Sequence, residues 1–161
     1  MARRMVRPPL PRSVIDTSSL VPVRERKALQ RAARIGGFVG IWSPWIVAEL
    51  NRVLSWLWIE RSGGDLSQAS RCRCSDAATT MMNLLLPTFE LVAPLPPYPS
   101  AWATLRDARD QPIWAAAVTA KAGFVVSENR RDYPPVGDDG WHRFGGVEYL
   151  PADAFLTLVR S

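Results

Sequence analysis

Asp16, Glu49, Asp110, Asn129 and Asp132 are the side chains whose types and spacing point to chemistry. Asp16 closes a short apolar run, Ser13-Val14-Ile15. Glu49 sits among Val47, Ala48 and Leu50, soon after Ser43-Pro44, a helix-starting pair. Asp110 precedes an alanine-rich stretch, and Asn129 and Asp132 follow Val125-Val126-Ser127. Carboxylates that face one another repel unless a cation lies between them. Hard oxygen donors favour Mg²⁺ or Mn²⁺ over zinc. His142 is the only histidine, which excludes a histidine-rich metal site and any mechanism needing two histidines. Each acid also has a plainer use. Asp16 could open a turn before Thr17-Ser18-Ser19, and Glu49 could be a solvated helix charge. Asp110 could cap a helix, with Asp107 able to share or take over its role. Asp132 could begin a turn with Tyr133-Pro134. Singly none is specific; the ordered set is.

The elements that must position these residues alternate between strand and helix. Strands are expected at Ser13–Asp16, Phe38–Trp42, Thr88–Ala93, Phe124–Ser127 and Val147–Leu150. Helices are expected at Arg24–Arg34, stopped by Gly36-Gly37, and from Ser43-Pro44 to about Arg61, ending before Gly63-Gly64. Further helices are expected over Asp65–Leu86, Ser100–Leu105, Asp110–Ala122 with Gly123 as its stop, and about Ala152–Val159. The proline-rich segment Pro94–Pro99 must be a connection. Short, continuously apolar strands between helices imply an α/β fold, with a mainly parallel sheet covered on both faces. Ligands of such sheets bind at the carboxyl ends of the strands, where all five candidate residues would gather.

Composition sets the outer bounds. The chain has 161 residues, with 47% apolar and 22% charged, enough for one domain with its own core. No apolar run reaches the roughly 20 residues of a membrane-spanning helix. Net charge is +5, and only Lys27 and Lys121 among the cations are lysine. Arginine suits bidentate phosphate contacts, so nucleic acid is a plausible partner, though biased composition explains the arginines equally well. Cys72 and Cys74 are too close for an unstrained disulfide and have no other metal ligands around them; reduced cysteines and a cytoplasmic location are expected. Residues 1–12 hold four arginines and three prolines and lack a signal peptide's apolar core. They read as a flexible basic arm before a domain over 13–161. Trp42, Trp45, Trp56 and Trp58 cluster around one expected helix; packing is the plainer reading, base stacking the functional one. Trp56 and Trp58 lie about 200° apart on a helix, so one of them is expected at an interface. A phosphate loop, a dinucleotide fingerprint and a serine-hydrolase elbow are all missing.

Taken in order, these segments resemble the PIN domain family. Val14-Ile15-Asp16-Thr17-Ser18 resembles its first-strand motif, and Ser43-Pro44-Trp45-Ile46-Val47-Ala48-Glu49-Leu50 its second, where the Glu is functional. Asp110-Gln111-Pro112-Ile113-Trp114-Ala115-Ala116-Ala117 is similar to the third. Val125-Val126-Ser127-Glu128-Asn129-Arg130-Arg131-Asp132-Tyr133-Pro134 is similar to the fourth. Ser18 stands where Asn is common, Ser127 where Thr is more frequent, and Asn129 where some members have Asp. The resemblance, running from about Ser13 to the C-terminus, implies a three-layer α/β/α fold and a Mg²⁺- or Mn²⁺-dependent ribonuclease. It also implies a toxin of the VapBC type, paired with a small antitoxin protein and forming a homodimer. On that reading Asp16 and Asp110 are direct metal ligands, and Asp132 or Asn129 completes the set. Glu49 holds or orients a water, Ser127 supports an acid or the phosphate, and Arg130 and Arg131 contact RNA. The competing expectation is a non-catalytic PIN-like module that binds RNA or protein, which Asn129 keeps open.

Overall fold

The computed structural model describes residues 9–94 and 110–160. Its centre is a six-stranded sheet in the order β3-β2-β1-β4-β6-β5. These strands are β1 (Arg12–Ile15), β2 (Val39–Trp42), β3 (Glu90–Leu91), β4 (Phe124–Val126), β5 (Arg143–Phe144) and β6 (Val147–Leu150). All neighbours pair in parallel except β5 with β6. The helices flanking the sheet are α1 (Thr17–Leu20), α2 (Val23–Arg34), α3 (Pro44–Arg61), α4 (Gln68–Leu85), α5 (Gln111–Thr119) and α6 (Ala152–Leu158). This is the α/β architecture expected from the alternation of apolar strands and helices.

Local sequence accounts for most boundaries. Ser43 accepts the Ile46 N–H at 3.4 Å and Pro44 opens α3, as a capped helix start requires. The α2 helix closes with Gly37 N–H on the Ala32 carbonyl and Gly36 N–H on that of Ala33. This paired closure needs a left-handed residue, which Gly36 supplies at φ +75°. The α5 helix closes the same way, but its left-handed residue is Lys121 (φ 52°), not Gly123. Gly123 instead donates its N–H to the Arg12 carbonyl at the foot of the sheet.

Other expectations shift more. Arg12, assigned to the basic arm, is the first residue of β1 and pairs with Glu90 at 2.7 Å. The third strand shrinks to two residues, and the short α1 and the antiparallel edge strand β5 carry no strong periodic signal. The expected helix at 100–105, most of the proline-rich connection, Asp107 and residues 1–8 lie outside the described residues.

The core runs along both sides of β1 and β4, whose Val14, Ile15, Val125 and Val126 are fully buried. Phe155 of α6 packs edge-on to Phe38 at 4.9 Å and tilts over Phe124 at 5.7 Å. Trp42 is buried and stacks on Phe89 at 4.6 Å, so it belongs to the core. Trp45 and Trp56 are exposed. Among the described residues no helix is long and apolar enough to cross a membrane.

Candidate metal centre

Because β1 and β4 are parallel neighbours, with Ile15 opposite Val126, their last residues emerge side by side. Asp16 follows β1 and Ser127 follows β4; the Asp16 N–H donates to the Val126 carbonyl at 2.9 Å. From there the chain takes β2 to one side of β1, while β4 leads to β6 on the other. A cleft opens where strand order diverges in this way. Its volume is about 430 Å³, and Asp16, Glu49, Asp110, Asn129 and Asp132 all line it. The five residues suspected from type and spacing therefore share one cleft, at the strand ends where they were expected.

Asp16 is 6% exposed and tightly held. Its Oδ1 accepts the Thr17 N–H at 2.8 Å, and Oδ2 accepts hydroxyls from Ser18 at 2.6 Å and Ser127 at 2.8 Å. Each serine oxygen also accepts a backbone N–H, Ser18 from Glu128 at 2.9 Å and Ser127 from Asn129 at 3.1 Å. A hydroxyl carries one proton, and both protons go to Asp16. The 3.1 Å approach of the two serine oxygens is thus a contact between fellow donors. With two hydroxyls on Oδ2 and one amide on Oδ1, a lone pair of Oδ1 remains for a cation.

Glu49 lies half-buried in the second turn of α3, where its Oε2 accepts the Thr17 hydroxyl at 2.8 Å. Burial raises its pKa; the Thr17 bond opposes this, and the nearby Asp16 charge adds to it. Asp110 stands at the N-cap position of α5 but makes no side-chain capping bond. The plainer reading of this residue as a cap therefore fails. Asp132 ends a short 3₁₀ turn, Arg130–Asp132, and accepts the Asn129 side-chain amide. Tyr133, buried just beyond, donates its hydroxyl to the Ser127 carbonyl; burial foremost raises its pKa. Arg130 and Arg131 are exposed and do not line the cleft. Arg130 lines a separate groove of about 460 Å³ with Arg24 and Arg160, which also holds Glu25, Glu128 and Asp153.

Two residues at the site were not singled out from the sequence: Thr17, which donates to Glu49, and Tyr149, which lines a small cavity together with Asp110. Thr17 was findable, since a hydroxyl next to a strand-end acid is placed to bond side chains converging there. Nothing local marks Tyr149.

The donor set is all oxygen, which suits a hard divalent cation. Among the described residues no three histidine, cysteine or acidic side chains come close enough together to hold a metal ion between them. Residues 12–131 match the PIN domain, about three quarters of the sequence. The chain belongs to the PIN domain family, whose members are typically nucleases that bind divalent metals. The match ends one residue before Asp132, so that acid and the strands β5 and β6 lie beyond it. No curated protein matches the sequence closely enough to count as a relative.

Proposed function

We propose that this protein is a Mg²⁺- or Mn²⁺-dependent endoribonuclease and serves as the toxin of a toxin–antitoxin pair. The observation that carries the reading is the gathering of Asp16, Glu49, Asp110 and Asp132 around one cleft. Asp16 and Asp110 would hold the cation, with Asp132 and Asn129 on the outer side. When bound, the ion supplies charge stabilisation at the phosphodiester and lowers the pKa of water. The chain's own residues then position. Ser18 and Ser127 fix the Asp16 carboxylate, Thr17 fixes Glu49, and Glu49 orients water toward the phosphate. Arg130 and Arg131, with Arg24 and Arg160, would draw the RNA backbone, so affinity should fall steeply with salt.

The test is cleavage of single-stranded and structured RNAs with Mg²⁺, Mn²⁺ or EDTA. Cutting is expected only with metal. Asp16→Asn, Glu49→Gln and Asp110→Asn should each reduce it by about 100-fold or more, the scale of losing several kcal/mol of charge stabilisation, while RNA binding persists. Metal-independent cutting, or full activity in all three variants, would sink the reading. A second reading, a non-catalytic RNA- or protein-binding module, draws on Asn129, whose neutral amide binds Asp132 where an acid would otherwise stand. Binding without cutting by the wild type, with cutting gained in Asn129→Asp, would decide for it. The toxin role further proposes a small antitoxin protein and a homodimer, checked by co-purification with the product of an adjacent small reading frame and by sedimentation.

A further inference from the structure

Beneath the acidic cleft lies a second cavity of only about 10 Å³, walled by Asp110, Ser127, Asn129, Asp132 and Tyr149. That size is on the scale of a single water. Strand register explains why Tyr149 reaches it. β6 pairs with β4 so that Tyr149 lies opposite Val125. Side chains alternate faces along a strand, so Val125 and Ser127 share the face that Tyr149 presents, and all three line the cavity.

Tyr149 is 5% exposed, and its hydroxyl is buried with no protein partner among the described residues. Its neighbour Tyr133, ring centroids 6.0 Å away, has its own hydroxyl satisfied by the Ser127 carbonyl. A phenylalanine would fill the volume of Tyr149 without burying an unbonded hydroxyl, and such groups are unfavourable unless water or a ligand meets them. Ile113 and Val125 make much of the cavity wall apolar, and its polar groups, Asp110 and the Tyr149 hydroxyl foremost, give a water the two partners it needs.

We propose that Tyr149 is a positioning residue of the metal centre, its hydroxyl holding the Asp110 carboxylate through one buried water. Partners of this outer kind orient the groups that bind the ion and sharpen its affinity. A phenol is protonated at neutral pH and so can donate toward an acid. The inference rests on the metal-centre reading above. It adds a residue outside the matched family span and outside the four acidic motifs.

The test uses the full chain as wild type, Tyr149→Phe, Asp110→Asn and the double variant. Mn²⁺ titration by calorimetry is paired with denaturant melts in EDTA. The expected result is about 10–100-fold weaker Mn²⁺ binding in Tyr149→Phe. Its metal-free stability should be unchanged or higher, and the two substitutions non-additive in the metal-free melts. A merely structural tyrosine would instead lower the melting midpoint without moving Mn²⁺ affinity, and that result overturns the proposal. If the wild type takes up no Mn²⁺, the metal-centre reading fails, and the metal-free cycle judges Tyr149 alone. Non-additivity then supports its link to Asp110, and additivity rejects it.

Discussion

Asp16 shows how a single carboxylate can be both buried and available. Three hydrogen bonds hold it, and two come from hydroxyls that also receive backbone N–H groups of the loop after β4. Ser127→Ala removes a donor to Asp16 and leaves the Asn129 N–H without its acceptor. It should cost about 1–3 kcal/mol, the usual range for stranding buried polar groups, as read from denaturant midpoints. Ser127→Thr should restore most of that loss, because the hydroxyl survives. Glu49 gives a pH-dependent counterpart in the metal-free protein. Its folded pKa is raised above the reference 4.5, first by burial. A raised acid pKa means stability present below 4.5 is lost as pH rises through the folded value. Glu49→Gln should therefore match the wild type below pH 4.5 and exceed it increasingly above that pH. Parallel stability curves across the pH range would show that Glu49 feels no such environment.

At the scale of elements, helix ends decide where the acids stand. The α5 helix begins directly after Asp110 and ends on Lys121 in the left-handed region, which disfavours a side chain with Cβ. Lys121 is exposed, so its replacement removes little packing. Lys121→Gly should raise stability by about 0.5–1 kcal/mol, the relief of the left-handed conformation less glycine's extra chain entropy. Equilibrium unfolding would check this, and a destabilised variant would mean the lysine stem packs on the turn. Element existence was legible for every long helix described, since caps and glycine stops are local signals. The α1 helix and the β5 strand were not legible. A four-residue helix and a two-residue strand depend on neighbours, and neither carries a full period of its own.

For the whole molecule, the sheet is one packed unit whose strand ends are set from behind. Phe155 of α6 is fully buried and touches the rings of Phe38 and Phe124, just before β2 and at the start of β4. Phe155→Ala should cost about 3–5 kcal/mol in unfolding free energy, the range for a large aromatic lost from a close-packed core. It should weaken Mn²⁺ binding only through the fraction unfolded, because the ring lies at the opposite end of β4 from Ser127. Direct loss of metal affinity in the folded variant would show that the core sets the cleft geometry more finely than strand register does.

The amino-acid sequence by itself determined the alternation of strands and helices, the parallel sheet and five acidic or amide residues just after strands or in the first turns of helices. Those follow from period, caps and the rule that strand ends carry the site, all of which act over a few neighbouring residues. Only the tertiary structure decided that Asp110 does not cap α5, that Arg12 belongs to the sheet, and that Arg130 faces a groove away from the cleft. It alone placed Thr17 on Glu49 and brought Tyr149 to the small cavity that Asp110 also lines. These depend on which strands become neighbours and in what register, contacts between residues far apart in the chain that no local pattern encodes.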